Sequence, residues 1–171
     1  QSCGIEFANR TLTADLVVTC AGDVPQTDWL DNAGIADRMG VGIDFRCATS
    51  VPGIFAAGDV AYSRAASRRA PFWSNAVAQG KVAAASALGV EPTCAPTDDY
   101  FWTEILGLSI KVVGPLPLHG DPTVLEGSVE DGSALLQWTH QDGRTTIVAF
   151  GIKKPVGLLR RLARENTVST T

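Results

Sequence analysis

The 171-residue sequence predicts an α/β segment followed by an α+β domain built on an antiparallel meander. Three observations predict it. Two short apolar runs, residues 15–21 (DLVVTCA) and 54–57 (IFAA), each stop at a Gly-Asp pair and read as strands buried on both faces. Residues 72–88 read as one helix dominated by small side chains, which lets its backbone approach a sheet closely. From residue 108 onward the pattern alternates, and Asp131-Gly132 and Asp142-Gly143, dipeptides suited to tight hairpin turns, stand at two junctions. Between these halves, residues 90–99 carry Pro92, Pro96 and two Asp, a linker composition. The boundary is therefore placed to give segments 1–96 and 97–171.

Taken in order, the strand at 15–21 ends at Gly22, Asp23 and Pro25. Residues 26–40 read as a short helix and a loop: Trp29, Leu30 and Ala33 are helically spaced and Gly34 fits a stop. Residues 41–45 (VGIDF) alternate like a strand, and Pro52-Gly53 makes the turn into IFAA. Residues 61–71 form a polar loop with Arg64, Arg68 and Arg69. In the helix at 72–88, Trp73, Ala76, Val77, Gly80, Ala84 and Ala87 share the face expected to pack inward, and Gly89 ends it. Leu108, Ile110 and Val112 face one way and Ser109 and Lys111 the other; strands follow at 123–129, 134–140 and 145–151. Pro155 opens a last helix at its first turn, with Leu158, Leu159 and Leu162 on one face, before a frayed TVSTT end.

Composition narrows the function. Net charge is −4, with 19% charged and 45% hydrophobic residues, which excludes a disordered tail, a collagen-like fibre and a basic nucleic-acid binder. The apolar runs are too short for a membrane helix and no signal-peptide pattern opens the chain, so a cytoplasmic location without membrane contact is expected. Cys3, Cys20, Cys47 and Cys94 show no CxxC spacing and there are only two histidines, so the cysteines are expected to be reduced, mostly buried thiols rather than a zinc or dithiol centre. Trp138 is expected in the core, His140 at the surface near a hairpin turn and His119 in a loop. Residues 1–60 hold 8 acidic and 3 basic residues. Arg64, Arg68, Arg69, Lys153, Lys154, Arg160, Arg161 and Arg164 are either ordinary solvated positions or one basic docking surface.

The segment IFAAGDV carries the chemistry. A strand delivers Gly58 and Asp59 to its carboxyl end, where open α/β sheets bind ligands. Gly58 has no Cβ to hold a ligand off, and Asp59 offers an acceptor for a sugar hydroxyl. The helix that follows presents free N–H groups and a partial positive charge at its start, with Trp73 in the first turn. Strand-end Asp and helix N-terminus together suit a flavin dinucleotide; a Gly-Asp after a strand also serves as a plain turn.

The stretch TSVPGIFAAGDVA (49–61) resembles the second FAD-binding motif of two-dinucleotide-domain flavoprotein reductases. ADLVVTCAGDVPQTDWLDNAGI (14–35), FWSNAVAQGKVAAASALG (72–89) and YFWTEILGLSIKVVG (100–114) are similar to the NAD-to-FAD-domain return, the flavin-facing helix and the opening of the C-terminal domain. This wording resembles the NADH-dependent ferredoxin reductases, the FAD-containing reductase components of Rieske dioxygenase and cytochrome mono-oxygenase systems. The resemblance implies the C-terminal part of such a flavoprotein: an FAD-domain segment and then a meander domain. It implies FAD as cofactor, NADH as electron donor, and a ferredoxin-type iron–sulfur protein as partner, with a homodimer as a further association to test. On this pattern Gly58 and Asp59 would face the FAD ribityl chain, and the Val60 amide the pyrophosphate. Trp73 and Ala76 would lie at the flavin pyrimidine edge, and Trp102 by the isoalloxazine. Asp23, Pro71-Phe72, Glu104-Ile105 and Lys153-Lys154 depart from the family wording. No GxGxxG occurs, so both glycine fingerprints are expected upstream of Gln1 and the chain alone is expected to be inactive. Two other readings remain open: a non-catalytic interaction or dimerisation module, and a flavoprotein like apoptosis-inducing factor.

Overall fold

The computed structural model describes residues 3–165. The described residues open with a two-stranded antiparallel hairpin, β1 (Cys3–Phe7) and β2 (Arg10–Ala14). The strand expected at 15–21 is not formed: Leu16 and Val18 are 76% and 72% exposed. A strand buried on both faces needs neighbours to pair with and layers to cover it, and among the described residues nothing pairs with this run. The short helix expected within 26–40 is a single turn of 3-10 helix (Asp28–Leu30); it buries Leu30 and leaves Trp29 outside.

The α/β layer is a three-stranded sheet of β3 (Ala36–Asp37), β4 (Gly40–Ile43) and β5 (Ala61–Ser63). β3 and β4 are antiparallel, whereas β4 and β5 are parallel with Val41 opposite Ala61 and Ile43 opposite Ser63. The parallel partner thus lies beyond IFAA, in the segment expected to be polar loop. IFAA contributes only a bridge from Phe55 to Ala48. Its hydrogen bonds are local: Ala56 N–H donates to Cys47 O (3.0 Å), and Ile54 O accepts from Thr49 N–H (2.9 Å). The Asp44 carboxylate accepts the N–H groups of Arg46 (2.8 Å) and Ala48 (2.9 Å), which closes the loop before it can extend β4.

Helix α1 (Trp73–Ala87) covers this layer and shares a core with Ile43, Cys47, Ala61 and Val82. Its inward face is the reverse of the expected one. Ser74, Asn75, Gln79 and Val82 are buried; Trp73, 70% exposed, and Val77, Gly80, Ala84 and Ala87 line the open side. The polar residues win the interior because each satisfies a loop or strand backbone group that would otherwise be orphaned. Gln79 accepts Gly58 N–H (2.7 Å), Asn75 donates to Ala70 O (2.9 Å), and Ser74 Oγ donates to Tyr100 O. The stripe of Gly and Ala offers little apolar area to compete.

The remaining strands are β6 (Tyr100–Ile105), β7 (Leu108–Val113), β8 (Thr123–Ser128), β9 (Ser133–Thr139) and β10 (Thr145–Phe150). They form one antiparallel sheet in the order β6-β7-β10-β9-β8, so the expected meander is β8-β9-β10. Helix α2 (Val156–Glu165) packs on one face through Leu159, Leu162 and Val156 over Val113, Leu135, Ile147 and Ala149. On the other face Val112, Leu136 and Val148 pack with Phe101, Leu116 and Trp138, which places Trp138 in a core as expected. His140 is half-buried rather than solvated: its Nε2 lies 2.8 Å from Thr146 Oγ1. Thr146 gives its only proton to Pro115 O (2.7 Å), so His140 Nε2 is the donor in that contact. Among the described residues no helix is long and apolar enough to cross a membrane.

The thiols differ from expectation too. Cys20 and Cys94 are exposed and only Cys47 is buried among the described cysteines. Burial first, and then the Asp44 carboxylate, push the Cys47 thiol up from 9.0 to about 11. In the folded chain at pH 8, Cys20 and Cys94 are therefore expected to alkylate with iodoacetamide while Cys47 stays unmodified until denaturant is added. Peptide mass mapping reads this, and alkylation of Cys47 at the rate of Cys94 would contradict its burial. The raised value keeps the proton on the native thiol, so the associated stability is fully present below pH 9 and is lost as pH rises through about 11.

Candidate functional site

The loop between IFAA and β5 turns at Gly58, whose φ of +83° is a conformation glycine adopts without strain. A Cβ there would sit 3.6 Å from Ala76 Cβ, an ordinary contact, so backbone conformation rather than space demands the glycine. The turn therefore lies directly against the first turns of α1.

Every carbonyl of this turn is engaged. Gly58 O accepts from Ala61 N–H (2.9 Å), Asp59 O from Arg69 Nη1 (3.0 Å), and Val60 O from Val41 N–H (2.8 Å). Gly58 N–H donates to Gln79 Oε1 at 2.7 Å. The N–H groups of Asp59 and Val60 make no hydrogen bond among the described residues, and the exposed Asp59 carboxylate has no partner among them. The start of α1 is open in the same way. Phe72 caps it without a side-chain hydrogen bond, and the first helical bond runs from Ala76 N–H to Phe72 O (2.9 Å). Donors and partial positive charge thus accumulate at the turn and the adjoining helix end.

An aromatic wall adjoins them. The Trp73 ring meets the Trp102 ring edge-on at 5.7 Å, and Trp102 stacks on Tyr100 at 5.5 Å with 15° between planes. Arg160 lies over the Tyr100 ring, 5.8 Å from its centroid, and binds both Asp98 carboxylate oxygens at 2.9 and 2.7 Å. Burial raises the Tyr100 hydroxyl pKa above its ordinary value. Trp73 and Trp102 both remain exposed, so the wall has a free face.

The structure thus sets Gly58 against Ala76 and Trp73 against Trp102, with Asp59 and Val60 on the turn between IFAA and β5. It adds two residues that the pattern missed, Arg69 and Gln79, which hold the turn from outside. Most of the basic residues are engaged by local partners. Arg69 pairs with Asp23 (2.7 Å), Lys154 with Glu126 (2.7 Å), Arg160 with Asp98 (2.7 Å) and Arg161 with Glu165 (3.8 Å), while Arg68 donates to Leu116 O. An anion-accepting turn, a free carboxylate, an open helix end and an aromatic face can together hold a phosphorylated ligand that carries hydroxyls and a planar ring.

Residues 5–80 match the family model described as pyridine nucleotide-disulphide oxidoreductase. The match takes in less than half of the 171 residues. One similar protein is the ferredoxin–NAD(+) reductase subunit of the benzene 1,2-dioxygenase system of Pseudomonas putida. That relative is 34% identical over 93% of the chain and 39% of its own length. The 3-phenylpropionate/cinnamic acid dioxygenase ferredoxin–NAD(+) reductase component of Photorhabdus laumondii is 30% identical over 86% of the chain and 38% of its own length. In the solved structure of a covalent putidaredoxin reductase–putidaredoxin complex, the matching chain is 25% identical. It superposes with a TM-score of 0.71 over 98% of this chain and 43% of that one. The chain therefore spans about two fifths of the length of the curated relatives it matches.

Proposed function

We propose that the protein is an FAD-dependent oxidoreductase that moves electrons from NADH to a ferredoxin-type iron–sulfur protein in the cytoplasm. On this reading residues 1–96 carry the end of the NAD domain and the returning FAD-domain segment, and residues 97–171 form the C-terminal reductase domain. The observation that carries the reading is the Gly58–Val60 turn, with its carbonyls occupied and its outward donors open beside the start of α1. That pattern fits the diphosphate and ribityl chain of FAD. Bound FAD would supply the capacity to accept a hydride from NADH and release single electrons to the iron–sulfur partner.

The chain's own residues then act by placement and field. Asp59 accepts from a ribityl hydroxyl and the Val60 N–H donates to a phosphate oxygen. The partial positive charge at Trp73–Ala76 favours electron density at the pyrimidine edge of the ring. Trp102 covers the ring from β6 and excludes water. Without a GxGxxG turn the 171 residues alone are proposed to give no turnover above free flavin.

Flavin titration of the natural protein at full length tests the assignment. Asp59→Ala is expected to weaken FAD by ~1–3 kcal/mol, as for a lost hydrogen bond to a charged group, which is roughly a 5- to 150-fold rise in Kd. Trp102→Ala is expected to shift the flavin absorption bands and relieve the quenching of flavin fluorescence. FAD affinity and spectra unaltered in both variants would remove these residues from the site.

A further inference from the structure

Arg69 belongs to a loop that the sequence reading treats as polar surface, yet its side chain is only 15% exposed. Its guanidinium makes three contacts at once: Nη1 donates to Asp59 O (3.0 Å), and Nη2 donates to Asp23 O (2.9 Å) and to Asp23 Oδ2 (2.7 Å). Asp23 lies in the run 15–27, which joins no sheet among the described residues. One side chain thus ties that run to the backbone of the Gly58–Val60 turn.

The geometry points to Arg69 as a positioning residue that aims the Val60 N–H. This rests on the flavin reading above. In a trans peptide the carbonyl and the following N–H point in opposite directions, so holding one fixes the other. Gly58 O is held by Ala61 N–H, which orients the Asp59 N–H. Asp59 O is held by Arg69, which orients the Val60 N–H toward the opposite side, the side left open to ligand. The first constraint is main chain to main chain and depends on no side chain. The second depends on a side chain alone. A planar fork with several donors suits the task because it must reach two separate main-chain acceptors and one carboxylate. Asp23 neutralises the guanidinium, so Arg69 acts through orientation and not as a bare charge facing the phosphates.

The test uses the natural protein at full length, with FAD affinity from flavin fluorescence and the 31P NMR spectrum of bound FAD at saturation. Arg69→Met is expected to raise the FAD Kd at least tenfold and to displace the diphosphate resonances of the FAD that still binds. Asp23→Asn keeps the Asp23 and Asp59 carbonyl contacts and is expected to stay within about threefold of wild type. A Kd for Arg69→Met within twofold of wild type overturns the proposal. So does an unchanged phosphorus spectrum with a lowered melting temperature, because that combination marks a merely structural role. Tightened binding in Asp23→Asn overturns it in favour of direct charge attraction. If Arg69→Met does not fold, Arg69→Gln is judged by the same two readouts. A wild type that takes up no FAD overturns the flavin reading itself, an outcome distinct from a clamp that fails in a protein that binds.

Discussion

Leu159→Ala is expected to cost ~2–5 kcal/mol of folding stability, the range for truncating a large buried aliphatic side chain. Leu159 is 0% exposed and is the one fully buried side chain of α2. It sits over Val113, Leu135, Ile147 and Ala149, which come from β7, β9 and β10. These strands pair through backbone ladders and cannot close together over a hole without breaking register, so the lost packing is replaced by a cavity. Urea unfolding measures the change, which should appear in the midpoint without a matching change in slope. A loss under 1 kcal/mol would mean that α2 does not seal this face.

Gly40→Ala is the second large effect expected, and it reaches the candidate site. Gly40 opens β4 at a φ of +112°, a conformation that side-chain-bearing residues rarely adopt. An added Cβ would also collide with the Val60 carbonyl, which accepts Val41 N–H in the first contact between β4 and the turn. The backbone conformation alone costs roughly 1–3 kcal/mol for a residue with a side chain, and relieving the collision pushes Val60 away from β4. Thermal unfolding should fall by about 2–4 °C for each kcal/mol lost, given a chain of this size. In the full-length protein FAD affinity should fall in parallel. A variant with wild-type melting and wild-type affinity would show that the Val60 carbonyl is free to move without consequence.

The parts legible in the sequence were those with local signals. The Asp-Gly pairs mark the β8–β9 and β9–β10 turns, and their glycines take positive φ (Gly132 +70°, Gly143 +79°). β6 escaped notice because its turn is Leu106-Gly107, with Leu106 itself at φ +51°, where leucine gives no turn signal. The extent of α1 was legible from Gly89, but not its inward face. Nothing within the helix says that Gln79 will meet Gly58, 21 residues earlier, or that Asn75 will meet Ala70 and Asp98. The run 15–21 was misread because apolar β-branched residues report what a strand would bury, not whether partners stand beside it. Gly58 and Asp59 were singled out from their place at the end of IFAA, ahead of the helix; Arg69 was not, since its meaning depends on Asp23, 46 residues away.

The Gly58–Val60 turn has a thermodynamic side as well. Its shape is set when the chain folds, by Gln79, Arg69, Ala61 and Val41, and none of these contacts has to be exchanged when a ligand arrives. The ordering entropy of the loop is met in the folding transition and not at the moment of binding. A ligand that docks there loses its own freedom but imposes little on the protein. Association then follows the frequency of well-oriented encounters rather than the pace of a loop rearrangement.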